Sequence, residues 1–297
     1  MKTSSANSAK AHLITSMLIF GTIGIFVKYI PLSSSVIALV RGIVGAVFLL
    51  ILTRVRKIPI DWGTVKKDFL FLALSGMAIG FNWILLFEAY RYTTVATATL
   101  CYYLAPVIVM LVSPILLKEA LTVRKAICII VALCGMGLVS DVLNADFSGS
   151  REMLGILCGL GAAVLYSSAI LMNKKLPDVP AFDKTIVQLS VAAISLLPYV
   201  LVTEHGTALT LTPSSIALLL VVGIVHTGIA YALYFGSIRD IPAQTAALFS
   251  YIDPVSAIFL SAIFLKERLT VSGVIGAVLV LGSTLFSELP TVKKEEL

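Results

Sequence analysis

Apolar residues fall in long blocks divided by short polar punctuation, and this pattern runs along the whole chain. Ten blocks read as helices, over 11–30, 34–53, 69–90, 94–117, 124–142, 153–173, 184–204, 214–237, 242–265 and 270–287. A helix rises 1.5 Å per residue, so about 20 apolar residues cross the ~30 Å hydrocarbon core of a bilayer. The expected fold class is an all-α integral membrane protein with ten transmembrane helices. Two divisions rest only on the short separators "RYTT" and "IRDIP". The first block lacks a small-residue cleavage site and is expected to be a retained helix.

Within these blocks one phrase is written twice. "LCYYLAPV" begins at Leu100 and "LFSYIDPV" at Leu248, and each runs on to a basic-acidic pair, "LLKEALT" and "FLKERLT". With Pro106 set on Pro254, residues 87–122 match 235–270 at 15 of 36 positions. Weaker similarity extends outward: "VKYIP" faces "MNKKLP", and Arg41 falls opposite Gln188. The chain therefore reads as a duplication, 1–146 and 147–297, with five spans in each half. Five is odd, so the second copy enters the membrane from the opposite side. That is an inverted-topology repeat, an architecture that lets two halves exchange conformations about a central site.

The segments "NWILLFEAYRYTTVATATLCYYLAPVIVMLVSPILLKEALT" and "AYALYFGSIRDIPAQTAALFSYIDPVSAIFLSAIFLKERLT" resemble the two repeat signatures of the EamA branch of the drug/metabolite transporter superfamily. The resemblance runs along essentially the whole chain. It implies ten helices in two five-helix halves and the movement of small metabolites such as amino acids. It leaves the substrate unassigned.

Composition agrees with the pattern. Apolar residues make up 59% of the 297 positions and charged residues 13%, against roughly 25% charged in globular chains. Mean hydropathy is +1.02. The net charge of +6 does not indicate nucleic acid, because the cations sit in short loops between apolar blocks. With the N-terminus in the cytoplasm, 16 Lys and Arg lie on inside segments, five on outside segments, and Arg41 within a span. This bias places both termini in the cytoplasm of a multi-pass cell-membrane protein. The cysteines Cys101, Cys128, Cys134 and Cys158 have no metal-ligand spacing and read as packing residues.

Ionisable groups inside hydrocarbon cost about 2.5–3.5 kcal/mol on insertion scales, so each needs a partner or a wet cavity. Arg41, on the second span, is either a substrate group or a structural arginine bonded to carbonyls. Asn82, Trp83 and Glu88 lie on the third span. Trp83 is too deep for an interfacial belt and suits a cavity wall. Glu88 reads as an ion pair with Arg91 or as a site for a substrate amine or proton. Of Tyr102 and Tyr103, adjacent on a helix, one is expected to face the cavity. Tyr103 is favoured because its repeat mate, Tyr251, is also tyrosine. Asp253 and His226 are the most central titratable pair. Asp253 precedes Pro254 and can cap the following half-helix, or it can carry a proton. His226 is either an interior hydrogen-bonded residue or a proton group. Gly21, Gly24, Gly42 and Gly45 are expected to let helices approach closely.

The leading expectation is a secondary transporter and exporter of a small organic metabolite, an amino acid, amine or similar molecule, working by alternating access. No P-loop pattern is present, so the energy would come from a substrate or proton gradient. The rival classes are an intramembrane enzyme, for which no HExxH or paired buried carboxylate is found, and a non-transporting receptor. No metal, cofactor or nucleic acid is expected. The bilayer and the small-molecule substrate are the expected partners, with protons as a candidate coupling ion and a monomer or homodimer as the assembly.

Overall fold

The computed structural model describes residues 2–93, 95–139, 150–205, 211–264, 266 and 270–287. Glu267, Arg268, Lys293 and Lys294, used above in the repeat or the charge pattern, lie outside the described residues.

In chain order the helices are α1 (Lys2–Val27), α2 (Ser34–Val55), α3 (Trp62–Lys67), α4 (Phe69–Tyr92), α5 (Val95–Tyr102), α6 (Ala105–Leu117), α7 (Val123–Val139), α8 (Ser150–Lys174), α9 (Ala181–Thr203), α10 (Pro213–Val221), α11 (Ala230–Ile238), α12 (Ala243–Phe249), α13 (Ile252–Phe264) and α14 (Val271–Ser287). A π-helical segment, Val222–Ile229, joins α10 to α11. No strand occurs among the described residues. Among the described residues, eight stretches are long and apolar enough to cross a membrane: Asn7–Val27, Ser34–Val55, Phe69–Tyr92, Thr97–Leu117, Arg151–Lys174, Ala181–Thr203, Pro213–Ile238 and Ala243–Phe264. The helices α7 and α14, of 17 residues each, are shorter.

Two of the spanning stretches are broken in the middle, and proline chemistry accounts for both breaks. Proline has no N–H, and its ring clashes with the carbonyl four residues earlier. Pro106 therefore spares the carbonyl of Tyr102, where α5 ends, and Pro254 spares that of Ser250, just after α12. The backbone tightens to three-residue bonds at both places, Leu104 N to Cys101 O and Tyr251 N to Leu248 O, each 3.2 Å. The π segment has a different origin. Its widened turn sends the Thr227 hydroxyl to the Val222 carbonyl at 3.0 Å.

Packing follows a regular scheme. Helix α1 lies on α13 and α11, while α8 lies on α6 and α4. Helix α2 lies on the π segment, while α9 lies on α4. Three further pairs join the halves: α2 with α9, α6 with α12, and α7 with α14. Close approach depends on small residues. A Cβ at Gly45 would stand 3.1 Å from the Gly223 carbonyl oxygen, and one at Gly80 would stand 2.9 Å from the Ala192 carbonyl oxygen. Gly24 differs from the expectation above: nothing lies within 4 Å of a Cβ there, so it supports no close helix contact. The outer faces carry exposed apolar residues such as Ile115, Val202 and Val278, as suits helices solvated by lipid tails.

Candidate functional site

A cavity of about 220 Å³ opens beside the two helix breaks. Helix α1 contributes Phe20 and Ile23, and α2 contributes Arg41. One wall is α4, through Trp83, Leu86, Phe87 and Tyr90, while α5 adds Thr99 and Tyr102 and the break after it adds Tyr103. Residues of 147–297 complete it: Tyr166 on α8, Tyr231 on α11 and Asp253 on α13. The lining thus comes from residues of both 1–146 and 147–297.

Its chemistry is aromatic with two charged residue types. The Tyr102 and Tyr166 rings stack at 5.5 Å, and Tyr231 meets Phe20 edge-on at 5.1 Å and Trp83 at 6.3 Å. The Arg41 guanidinium carbon lies 4.5 Å from the centroid of the Trp83 ring, a cation–π contact. The Arg41 Nε is buried and has no hydrogen-bond partner. The Tyr103 hydroxyl donates to an Asp253 carboxylate oxygen at 3.4 Å. Such a pocket can stack an apolar or aromatic body and offers an acidic and a basic group for its polar ends.

A second cavity, of about 310 Å³, shares Phe87 and Tyr90 with the first. It is otherwise lined by Ser33, Ser34, Ser35, Arg91, Tyr199, Thr203 and Glu204. Here the Ser35 hydroxyl donates to Glu204 at 2.5 Å. Donation from Ser35 and Ser33 holds the Glu204 carboxylate below its ordinary range. The two cavities therefore adjoin at Phe87 and Tyr90, the second lying toward the end of the bundle that carries Glu204.

Of the residues singled out from the sequence, Arg41, Trp83, Tyr103 and Asp253 line the central cavity. The other four lie outside its lining. Asn82 donates to the Ala162 carbonyl at 2.7 Å and ties α4 to α8. Glu88 accepts from Arg91 at 2.9 Å and also from the Tyr199 hydroxyl, so it joins α4 to α9. His226 shares a 2.8 Å hydrogen bond with Thr22 and packs on Phe26. Tyr251 is fully buried behind Tyr103. Both Tyr102 and Tyr103 line the cavity, where one had been expected. The helix ends between them, and the break turns both rings toward the same space.

Sequence reasoning missed Phe20, Tyr90, Tyr166 and Tyr231. Only Tyr231 carried a signal, because it stands opposite Trp83 at the repeat offset of 148.

A family model described as the EamA-like transporter family matches residues 9–141 and 153–288. A Bacillus subtilis protein described as the uncharacterized transporter YxxF is 29% identical over 277 residues, covering 92% of this chain and 87% of that one. An uncharacterized transporter of Clostridium kluyveri is 28% identical over 247 residues, covering 80% and 78%. An uncharacterized transporter of Archaeoglobus fulgidus is 24% identical over 278 residues, covering 94% and 95%. A solved crystal structure superimposes with a TM-score of 0.82 over 95% of this chain and 98% of that one, at 17% identity, a likeness of fold. With both halves of the sequence matched and the helical membrane fold in place, the chain belongs to the EamA-like transporter family.

Proposed function

We propose that this transporter exports a small organic metabolite across the cell membrane by alternating access, as a secondary carrier built from two inverted five-helix halves. The observation that carries the reading is the central cavity, whose wall mixes Arg41, Trp83 and Tyr103 with Tyr166, Tyr231 and Asp253. A site built from both halves changes its exposure when the halves rock against each other.

The packing scheme supports an inverted repeat of ten spans. Exchange of the first five spans for the last five turns the α1–α13 contact into α8–α6, α1–α11 into α8–α4, and the α2 contact with the π segment into α9–α4. The α2–α9, α6–α12 and α7–α14 pairs map onto themselves. This is the pattern expected of two halves related by a two-fold axis.

Each lining group has a role in this reading. The aromatic walls hold an apolar or aromatic body. Arg41, with Nε unpartnered, faces an anionic or carbonyl group of the substrate. Asp253 balances a substrate amine, or takes a proton in alternation with it. Glu88 and His226 hold helices together. The cation bias of the loops supports cytoplasmic termini, and the second cavity, beside Glu204, then lies toward the outer face.

A thermal-shift screen of the purified protein against a metabolite panel would identify the ligand. The expected result is a stabilising ligand whose shift is lost in Trp83→Ala and Asp253→Ala. A ligand that stabilises both variants as well as the parent would place the substrate elsewhere.

A further inference from the structure

The opposite end of the bundle, away from Glu204, is tied together by side chains that the central site does not use. Glu119 follows α6 in the first copy of the repeated phrase. Its carboxylate accepts from the backbone N–H of Ala243 at 2.9 Å and from that of Gln244 at 3.4 Å, at the start of α12. The Gln244 side chain returns the contact, donating to the Ser113 hydroxyl at 3.0 Å and to the Glu119 carbonyl at 3.4 Å. Lys174, at the end of α8, grips the turn before α12. Its ammonium donates to the Ile238 carbonyl at 3.0 Å and to the Ile241 carbonyl. The segment from Ile238 to Gln244 is thus tied from one side by a carboxylate and from the other by an ammonium.

These ties bear on the cavity through one short lever. Helix α12 has seven residues and leads directly into the break at Tyr251, just before Asp253 in the first turn of α13. Any movement that opens the cavity toward the Glu119 end must draw α12 away from α6, its packing neighbour. That movement would break the Glu119 contacts, since they bridge the end of α6 to the start of α12. Hydrogen bonds to a charged group are among the strongest available to hold such a tip.

We propose that Glu119 is the latch of this face: it holds α12 against α6 while the cavity faces the Glu204 end, and it releases α12 when the cavity opens the other way. Glu119 touches no substrate in this scheme; it is a positioning residue that acts through α12. The proposal rests on the alternating-access reading above, and its test reads accessibility instead of transport, so the two can fail separately.

The experiment places a single cysteine at Thr99, inside the cavity, on a background free of other cysteines, in proteoliposomes of known orientation. A membrane-impermeant maleimide is applied from either face. With Glu119 intact, labelling is expected from the Glu204 face. In Glu119→Gln, which cannot accept with a charge, labelling from the opposite face should rise about tenfold, the effect of losing charge-assisted bonds of this kind. Glu119→Asp, which keeps the charge, should restore part of the parent pattern. Unchanged labelling from both faces in a folded Glu119→Gln protein would overturn the proposal. Should that variant not fold, Glu119→Cys with Gln244→Cys, joined by a short thiol crosslinker, decides the matter. The crosslink is expected to confine labelling of the cavity to the Glu204 face, reversibly on cleavage of the linker. Labelling from the Glu119 face after crosslinking would equally overturn it.

Discussion

The Tyr251 hydroxyl donates to the Tyr103 carbonyl oxygen at 2.9 Å, so the two copies of one repeated tyrosine meet across 148 residues of sequence. Each tyrosine sits in a helix break, just before a proline. The ring of Tyr103 faces the cavity, while the ring of Tyr251 supports it from behind. Their contact fastens the two broken helices together beside the site, and it makes the breaks one structural unit.

The breaks should therefore matter to rate more than to stability. Pro254→Ala restores a donor that can reach the Ser250 carbonyl, allowing α12 and α13 to join into one helix. We expect transport to fall by about tenfold, with thermal stability in detergent unchanged or raised, because a continuous helix loses the lever that moves α12. Pro106→Ala should behave in the same way through Tyr102. Parent transport rates in both variants would show that the breaks are incidental.

Asp253→Asn separates a charge role from a capping role. Asparagine caps a helix nearly as well as aspartate, so expression and folding should be close to normal. Uptake driven by an imposed pH gradient should be abolished, while some passive exchange survives. The check is liposome uptake with and without the gradient. Unchanged gradient-driven accumulation would return Asp253 to a structural role and move proton coupling to Glu88 or His226.

The close α4–α9 approach sets up a contrast between two glycines. A side chain at Gly80 meets the α9 backbone, and overpacking of this kind costs about 1–3 kcal/mol. Gly80→Leu should lower the melting temperature of the purified protein, whereas Gly24→Ala should leave it within error, since nothing lies near that position. Equal effects of the two substitutions would contradict the packing described here.

How much of this was legible in the sequence varied with the physics. Eight spans among the described residues were readable because a bilayer requires long apolar runs, and the break at Pro254 because proline acts on its own backbone. Trp83, Arg41 and Asp253 stood out as residues too polar or too large for a lipid-facing position, and Tyr103 because its repeat mate is also tyrosine. The same criterion also chose Asn82 and His226, which bond to Ala162 and Thr22 on other helices, and the repeat chose Tyr251, which bonds to Tyr103. The partner of His226 is Thr22, 204 positions away, and only tertiary packing brings the two together. Tyr90 and Tyr166 were invisible for the converse reason. A tyrosine on a membrane helix is ordinary, and only the neighbouring helices decide whether it faces lipid or a cavity. The π segment gave no local signal, although its backbone lies against Gly45 of α2.

The central claim is carrier-mediated exchange through this cavity, and counterflow tests it most directly. Liposomes holding the reconstituted protein are loaded with the ligand found by thermal shift and diluted into a trace of the same labelled compound, with no ion gradient. A carrier that alternates its access should draw the label inward to a transient overshoot, and the overshoot should vanish in Trp83→Ala with Asp253→Ala. Label entering protein-containing liposomes no faster than empty ones would contradict the account.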